Sequence, residues 1–212
     1  MIKTAPFNKF ADEYEAWFER YNLVFLSEIE AIKRSFDLLP ENIRGIEIGM
    51  GSGRYAMELG IKEGIEPAAN LRELALEKGL DVIDASAEHL PYKDHSFDFV
   101  LFVTIEHLAN LKQAISEAYR VLKPGASIIL AFIDRLSPLA ERYSVSKSKF
   151  YKQAQFYSVE KIQQLLEEKG FKDLSYHQCI FDDIDRIQKV EAPKEGFGYG
   201  SFVVVSATKK GK

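Results

Sequence analysis

Three glycines at alternating positions constrain the fold of this 212-residue chain more than any other feature. Gly49, Gly51 and Gly53 follow an apolar run that ends at Ile48. A helical pattern of apolar residues begins directly afterwards, at Tyr55. Glycine is the residue that adopts positive φ angles freely and lets another group approach the backbone closely. A strand, a glycine-rich turn and a helix in this order therefore predict a nucleoside- or nucleotide-binding half of an α/β fold.

Two carboxylates beside this loop narrow the choice of ligand. Glu66 follows a second apolar stretch, at a position where a carboxylate accepts hydrogen bonds from ribose hydroxyls. Glu47 lies two residues before the loop, where it would repel a pyrophosphate but attract an amino group or a sulfonium. The spacing also differs from the dinucleotide pattern, because Arg54 replaces the third glycine, and the lysine of a P-loop is missing. These features favour a nucleoside without phosphates.

The composition excludes several classes of protein. A net charge of -4 and an isoelectric point near 5.7 argue against a nucleic-acid binder, which normally carries a basic surplus. Cys179 is the only cysteine, which fits a reducing cytoplasm. No apolar run is long enough for a signal peptide or a membrane span. The histidines show no metal-ligand spacing, and the acidic stretch 182–185 lacks the glycine and glutamate of a calcium loop, so we expect no metal.

The order of the predicted elements indicates the fold class. Apolar residues at three- and four-residue steps predict a helical unit over 7–38, which Pro40 ends. Strands and helices then alternate, with strands over 44–49, 61–66, 80–84, 97–103 and 126–133 and helices over 53–60, 67–78 and 107–122. Pro67 and Gly79 suit the first turn and the end of one of these helices. Such alternation predicts a parallel sheet with helices on both faces.

The segment 134–157 interrupts this alternation. It combines basic and aromatic residues, namely Arg135, Arg142, Lys147, Lys149 and Lys152 with Tyr143, Phe150, Tyr151, Phe156 and Tyr157. This mixture suits either a ligand with a ring or an anionic group, or a solvated surface. Beyond it, a helix is predicted over 159–169 with Ser158 as its N-cap, and strands are predicted near 171–181 and 201–208.

Five short stretches between residues 43 and 133 together resemble one enzyme family. They are Glu47-x-Gly49-x-Gly51-x-Gly53, Gly64-Ile65-Glu66-Pro67, Ser86-Ala87-Glu88-His89-Leu90-Pro91-Tyr92, Ser96-Phe97-Asp98-Phe99-Val100 and Val121-Leu122-Lys123-Pro124-Gly125-Ala126. In this combination the chain resembles the class I S-adenosylmethionine-dependent methyltransferases, specifically the small-molecule branch that includes quinone-biosynthesis enzymes. The resemblance implies a Rossmann-like, doubly wound α/β sheet of seven strands, mostly parallel with an antiparallel last strand.

The resemblance also implies how the chain is organised. We expect a single domain over 1–212, with S-adenosylmethionine as its cofactor. Residues 1–40 would form a helical cap and residues 43–133 the cofactor-binding core. Residues 134–157 would form a lid that contacts the substrate, and residues 158–212 a helix and a pair of strands.

The residues that contact the cofactor follow from the same resemblance. Tyr14 and the loop beside Glu47 would hold the methionine end, and Glu66 would hold the ribose. The full set is Tyr14, Glu47, Gly49, Gly51, Gly53, Glu66, Pro67, Ser86, Ala87, Leu90, Thr104 and Ile105. The family often has an acidic residue where Ser86 stands. Either Ser86 or Asp84 would therefore contact the adenine amino group.

Three residues have two interpretations each. Arg54 either holds the loop through a distant carboxylate or lies on a solvated helix face. Leu90 either packs on the adenine or only forms a turn into the next strand. His107 is the candidate catalytic residue, because it either takes a proton from the acceptor or caps a helix and bonds to the backbone.

The predicted reaction is transfer of a methyl group to a small-molecule acceptor by in-line displacement. Such a reaction chiefly requires alignment of the nucleophile and exclusion of water. The acceptor, the methylated atom and the choice between monomer and homodimer stay open. A nucleoside-binding regulatory module of the same fold is the main alternative, and the glycine spacing disfavours a dinucleotide oxidoreductase. We expect neither a nucleic acid nor a membrane as partner, since Phe102-Val103-Thr104-Ile105 replaces the Asn-Pro-Pro-Tyr type of motif.

Overall fold

A mixed sheet of eight strands forms the centre of the fold within the residues described by the computed structural model, which are 5–37, 39–146 and 148–211. The strands are β1 (Gly45–Ile48), β2 (Glu63–Ile65), β3 (Asp81–Ile83), β4 (Phe97–Val103), β5 (Leu122–Ile133), β6 (Phe171–Cys179), β7 (Lys194–Glu195) and β8 (Phe202–Lys209). Their order across the sheet is β3-β2-β1-β4-β5-β8-β6-β7. Neighbours among β1 to β5 are parallel, and β8 runs antiparallel between β5 and β6.

This topology confirms the predicted Rossmann-like class and the antiparallel last strand, and it corrects the number of strands from seven to eight. The additional strand is β7, which pairs with β6 opposite His177 and Gln178 at the edge of the sheet. Both residues of β7 are exposed. A strand of two exposed residues has no alternating apolar pattern, so the sequence does not reveal it.

Helices cover both faces of the sheet. The α-helices are α1 (Ala5–Lys9), α2 (Ala11–Arg20), α3 (Asn22–Phe36), α4 (Arg54–Leu59), α5 (Ala69–Glu77), α6 (Leu111–Val121), α7 (Pro138–Val145) and α8 (Val159–Lys169). Two short 3₁₀ turns lie at Ile105–His107 and Tyr151–Gln153. Over the described ranges, none of these helices is long and apolar enough to span a bilayer.

The central strand β4 shows why the sheet is buried on both faces. Phe99 and Leu101 belong to a core that includes Phe25 and Ile29 of α3. Alternate residues of the same strand, such as Phe102, belong to a second core formed with α6 and α8. A strand covered on both faces is apolar along its whole length, which is the pattern that predicted a parallel sheet with two layers of helices.

The N-terminal helical unit predicted over 7–38 is a set of three helices. Phe10 interrupts it with φ −129° and ψ 39°, and Tyr21 with φ −111° and ψ 38°. Neither residue is a glycine or a proline, so no breaker marks these positions in the sequence. The apolar spacing continues across both interruptions because α2 and α3 pack against the same core.

Several other boundaries show how local chemistry determines where elements begin. The helix predicted over 107–122 begins only at Leu111, because the side chain of Asn110 accepts a hydrogen bond from the Gln113 amide at 3.1 Å. The unpredicted α7 begins in the same way, with the side chain of Ser137 as its cap. The prediction of α8 over 159–169 is confirmed, with Ser158 as the N-cap. Pro67 lies before the first turn of α5 rather than within it.

Candidate functional site

A cavity of about 550 Å³ lies along the carboxyl ends of the parallel strands. Ile48 and Ile65 contribute to its wall at the ends of β1 and β2, and Val103 and Ile133 at the ends of β4 and β5. Side chains of α2, α3 and α7 also line it. The strand order reverses between β1 and β4. Ligands of open α/β sheets bind at such a reversal, so this cavity is the candidate site.

The glycine loop forms part of the cavity wall directly beneath Tyr14. Gly49 and Gly51 line the cavity with φ angles of 75° and 58°. A Cβ added at Gly51 would lie 2.9 Å from the hydroxyl oxygen of Tyr14. A Cβ added at Gly53 would overlap Cδ1 of Leu80, and Gly53 does not line the cavity. Gly53 therefore packs the loop against the core, and its contact with a cofactor stays a prediction.

Glu66 links the glycine loop to the start of α5. Its Oε2 accepts a hydrogen bond from the Gly51 amide at 2.8 Å, and its Oε1 accepts one from the Ala68 amide at 2.7 Å. The residue is 6% exposed and lines the cavity. Burial raises the pKa of its carboxyl, and the two amides oppose that rise. Each carboxylate oxygen has a second lone pair, so the group can accept further hydrogen bonds from a ligand.

Glu47 lies beneath the loop rather than in the cavity wall. Its side chain is fully buried in β1, and in the described part of the chain no group forms a hydrogen bond of ordinary geometry with its carboxylate. Burial, and then the nearby Glu66 carboxylate, raise the pKa of Glu47 well above its usual range, and the nearby Ala56 amide slightly opposes that rise. Burial together with the carboxylates of Glu66 and Glu47 also raises the pKa of the Tyr14 hydroxyl. The predicted role of Glu47 toward the ammonium group of the cofactor stays a prediction, and from this position it would act through water rather than by direct contact.

The end of the cavity near β3 has the residue types expected around an adenine ring. Pro67, Ser86 and Ala87 line it. Of the two candidates for the adenine amino group, Ser86 lies at the wall. Asp84 is largely exposed, lies outside the lining and forms an ion pair with Arg72 at 3.2 Å.

Two further predicted contacts are absent from the cavity wall. Leu90 packs in the core beneath α6, and its amide donates to the Glu117 carboxylate at 2.9 Å. Ile105 is completely buried in the same core, next to Leu111. The structure thus places both side chains in the core, and their contacts with a cofactor stay predictions. Glu88, which was not predicted, lines the cavity and accepts hydrogen bonds from two backbone amides of the 109–110 turn at 3.0 Å each.

A network around Glu15 connects α2 to the glycine loop. Its carboxylate pairs with the Arg54 guanidinium at 2.7 Å, accepts a hydrogen bond from the Ser52 hydroxyl, and lies 3.7 Å from the Lys78 ammonium. Burial alone would raise the pKa of Glu15, but the hydrogen bonds from Ser52 and Arg54 hold it below its usual range. The first interpretation of Arg54 is therefore confirmed, since it holds the loop through a distant carboxylate.

His107 lies among aromatic rings in the cavity wall. Its ring centroid is 4.8 Å from that of Phe7 and 5.6 Å from that of Tyr151. Thr104 lines the cavity on the same turn. His107 does not cap α6, because Asn110 does so. The carboxylate of the neighbouring Glu106 points into the core and accepts a hydrogen bond from the Ile133 amide at 2.6 Å. Burial raises the pKa of Glu106 to about 7.

The part of the cavity towards β5 and α7 is lined mainly by aromatic side chains. They are Trp17, Tyr21, Tyr143, Phe150 and Tyr151, and the rings of Tyr14, Phe18 and Tyr55 continue this wall to the glycine loop. The rings of Tyr143 and Tyr151 stack with centroids 4.0 Å apart. Glu28 of α3 is the acidic group among them, and its Oε2 accepts a hydrogen bond from the Tyr55 hydroxyl at 2.5 Å. Burial raises the pKa of Glu28 to about 8.

Two of the four described basic residues in the segment 134–157, Arg142 and Lys149, form ion pairs with acids. Arg142 donates to Asp183 and to Asp185, at 2.7 Å each. Lys149 lies 2.5 Å from the Glu13 carboxylate. Lys147, which belongs to the same basic set, lies outside the described residues. Asp182, Asp183 and Asp185 are exposed, and the last two bind Arg142 at the surface.

Comparison with known proteins identifies relatives of the core and of the whole chain. Residues 46–130 match the family model of a methyltransferase domain. The crystal structure of an S-adenosylmethionine-dependent methyltransferase from Thermotoga maritima, described as a possible histamine N-methyltransferase, is 42% identical in sequence. It covers 98% of this chain and 100% of its own, with a TM-score of 0.92.

Two sequence relatives complete this comparison. An uncharacterized protein of Methanocaldococcus jannaschii is 45% identical over 96% of this chain and 98% of its own length. A ubiquinone and menaquinone biosynthesis C-methyltransferase of Bartonella henselae is 36% identical over 43% of this chain and 33% of its own length. The similarity to the quinone enzyme is thus confined to less than half of the chain.

Proposed function

This chain belongs to the S-adenosylmethionine-dependent methyltransferases, and on that premise we propose which residues hold the cofactor and where a small-molecule acceptor binds. The observation that carries the proposal is the division of one cavity into two chemically different halves. Near β1 to β3 its wall is the glycine loop and the Glu66 carboxylate, whereas near β5 and α7 its wall is aromatic. A nucleoside suits the first half, and a small organic molecule suits the second.

The residues of the first half fit S-adenosylmethionine. The Gly51 and Ala68 amides use one lone pair on each oxygen of the Glu66 carboxylate. The remaining lone pairs would accept hydrogen bonds from both ribose hydroxyls. Pro67 and Ala87 would flank the adenine, and Ser86 would contact its polar edge. Any side chain at Gly51 would occupy space beneath Tyr14, as expected of a close approach to a ligand.

The methionine end of the cofactor would lie between the glycine loop and Tyr14. The unpartnered carboxyl of Glu47 beneath the loop is complementary to a group that carries positive charge. The Tyr14 hydroxyl, whose pKa is raised, stays protonated and can donate to the methionine carboxylate. The network of Glu15 with Arg54 would hold α2 closed over this end.

When bound, S-adenosylmethionine supplies a methyl group that is already activated by a sulfonium. The protein then needs to align the acceptor, exclude water and hold the reacting atoms in line. Thr104 and His107 lie between the two halves of the cavity and would border the reacting atoms. We assign His107 a role in alignment, because the rings of Phe7 and Tyr151 fix its position.

The acceptor would lie in the aromatic half, with residues 134–157 as its lid. The descriptions of two relatives name different methylated atoms, a nitrogen for the possible histamine N-methyltransferase and a carbon for the quinone enzyme. The aromatic wall suits a ring-containing or aliphatic acceptor of either kind. A nucleic-acid acceptor would require a basic surface, whereas the chain has a net charge of -4.

Calorimetry and a transfer assay test this proposal together. S-adenosylhomocysteine should bind at micromolar affinity or better, about −8 kcal/mol, and NAD should show no binding. Methyl-labelled S-adenosylmethionine should then label at least one member of a panel of small amines, phenols and quinols. Cofactor binding without any labelled product would favour the regulatory module, and preferential binding of NAD would contradict the assignment of the first half.

A further inference from the structure

Glu28 is a buried acid in the acceptor half of the cavity. Neither alignment of the acceptor nor exclusion of water requires a carboxyl group at this position. It lies on α3 between the core residues Phe25 and Ile29 and is 5% exposed. Its Oε2 accepts a hydrogen bond from Tyr55, and among the described residues none donates to its Oε1. Burying a carboxyl on an apolar helix face costs free energy unless a partner compensates it. Because Glu28 lines the cavity, its Oε1 is open to a bound ligand.

The other described acids of the cavity wall already have compensating partners. Glu13 forms an ion pair with Lys149. Glu66 and Glu88 each accept hydrogen bonds from two backbone amides. Within this described set, Glu28 differs because its partner is a neutral hydroxyl. A charged form of Glu28 thus lacks the compensation that the neighbouring acids have.

The arginines of the wall do not supply that compensation. Arg142 binds Asp183 and Asp185, and Arg20 lies 3.8 Å from Asp185. Where the structure describes the chain, neither guanidinium forms an ion pair with Glu28. An anionic acceptor would therefore face two arginines whose charge is already neutralised by Asp183 and Asp185.

The surroundings of Glu28 are complementary to a cation instead. Besides burial, the Glu106 carboxylate raises the pKa of Glu28. Glu28 in turn adds to the effect of burial and raises the pKa of neutral groups on five neighbouring elements, namely Tyr14 on α2, Tyr55 on α4, Tyr143 on α7, Tyr151 on the second 3₁₀ turn and Cys179 on β6. Aromatic faces carry partial negative charge and attract ammonium groups. A carboxylate within such rings binds a protonated amine through both effects.

We infer that the acceptor is a small amine that enters as an ammonium ion, with its nitrogen bound to Glu28 and its carbon skeleton among the aromatic rings. This inference rests on the proposed methyl transfer. It also goes further, because it makes Glu28 the group that selects the acceptor and receives its proton.

The proton transfer balances without an additional reagent. The bound ammonium passes one proton to Oε1 of Glu28, which becomes a neutral acid. The freed lone pair of the amine nitrogen then forms the N–C bond while the C–S bond breaks, and the electron pair of that bond leaves on sulfur. The products are the methylated ammonium ion and S-adenosylhomocysteine, and Glu28 returns its proton to water. The Tyr55 hydroxyl holds the carboxyl in place throughout.

The empty and the occupied cavity should differ by one proton. Burial is the main cause that raises the pKa of Glu28 to about 8, and the Glu106 carboxylate adds to the rise while Tyr55 opposes it. At pH 7 the acid in the empty cavity is therefore mostly protonated. Binding of an ammonium ion would ionise it, so about one proton should be released for each amine bound.

Calorimetry with protein saturated in S-adenosylhomocysteine tests this inference. The probes are phenethylamine, tryptamine and histamine, each compared at pH 7 with the alcohol that replaces its terminal amino group. At least one amine should bind about tenfold or more tightly than its alcohol, as expected for a hydrogen bond to a charged group. Titrations of that amine in two buffers with different ionisation enthalpies should show release of about one proton.

A matched pair of variants on one helix locates the effect. Glu28→Gln keeps an acceptor for Tyr55 but cannot ionise, so it should abolish both the amine preference and the proton release. Glu30→Gln removes an exposed carboxylate of the same helix, one paired with Lys33 at 3.0 Å, and should leave both unchanged. Proton release that persists in Glu28→Gln would overturn the assignment.

The parent protein alone also decides the question if Glu28→Gln does not fold. If every amine and its alcohol bound with equal affinity, or if amines bound without proton release, the inference about Glu28 would be wrong. Binding of S-adenosylhomocysteine in the same experiment would still support the proposed function. Failure of S-adenosylhomocysteine to bind would overturn both.

Discussion

Glu66→Ala removes the carboxylate that joins the glycine loop, the start of α5 and the proposed ribose site. In the folded protein its carboxylate oxygens accept hydrogen bonds from the Gly51 amide at 2.8 Å and from the Ala68 amide at 2.7 Å. The substitution leaves both amides without this acceptor, at about 1–3 kcal/mol for each buried group. We therefore expect the free energy of unfolding to fall by about 2–6 kcal/mol in urea denaturation.

The same substitution should weaken cofactor binding by an amount that can be separated from this loss of stability. Hydrogen bonds from two ribose hydroxyls to one carboxylate are worth about 1.5–3 kcal/mol, which corresponds to roughly 10- to 150-fold in Kd. Calorimetry with S-adenosylhomocysteine, at a temperature where the variant is fully folded, measures that loss. The 2′,3′-dideoxy analogue lacks both hydroxyls and should bind parent and variant with nearly equal affinity.

Asp84→Asn is the matched control for charge. Asp84 also follows a strand at the same edge of the sheet, but it is largely exposed and pairs with Arg72 outside the cavity. Its removal should change the affinity for S-adenosylhomocysteine by no more than about 0.5 kcal/mol. If Glu66→Ala weakened both ligands equally, or if Asp84→Asn matched its effect, the assignment of the ribose to Glu66 would be wrong.

Three further perturbations test separate parts of the site. Gly51→Ala should weaken S-adenosylhomocysteine binding, because its Cβ would meet the Tyr14 hydroxyl at 2.9 Å and displace it from the methionine end of the site. Gly79→Ala has a similarly positive φ but nothing within 4 Å, and it should retain the affinity in the same calorimetric assay. His107→Ala should lower kcat less than tenfold and leave the affinity for the cofactor unchanged. If kcat instead fell by about 10²–10⁴-fold and one limb of the pH–rate profile disappeared, His107 would be the general base. Glu28 has a pKa of about 8 in the folded protein and an ordinary value of 4.5, so the folded state binds the proton more tightly and stability falls as pH rises between these values. Glu28→Gln should therefore become more stable than the parent by up to about 5 kcal/mol at pH 8 in urea denaturation, with no difference near pH 4, and a difference that did not depend on pH would refute this account.

The parts of the fold that follow from the sequence are those specified by local signals. The strand over 97–103 is recognisable because both of its faces are buried, and α8 because Ser158 caps it and Gly170 ends it. The breaks at Phe10 and Tyr21 depend instead on how the N-terminal helices meet the core. Tertiary packing determines such breaks, and helical periodicity does not record them.

The site divides in a similar way. Gly51 and Glu66 are predictable because a loop that binds a nucleoside needs a residue without a side chain and an acceptor at fixed spacing. Leu90 and Ile105 belong to the same motifs yet pack in the core, since a motif does not distinguish a contact residue from one that supports the turn. Glu28 carries only one signal in the sequence, a polar residue on an otherwise apolar helix face, and the cavity forms around it from segments distant in the chain.

A crystal structure of the complex with S-adenosylhomocysteine tests the central claim most directly. The account predicts both ribose hydroxyls within hydrogen-bond distance of the Glu66 carboxylate and the adenine between Pro67 and Ala87. It also predicts that the sulfur faces the aromatic half of the cavity, towards Tyr151 and Glu28. A nucleoside bound away from Glu66, or a sulfur directed away from the aromatic half, would contradict it.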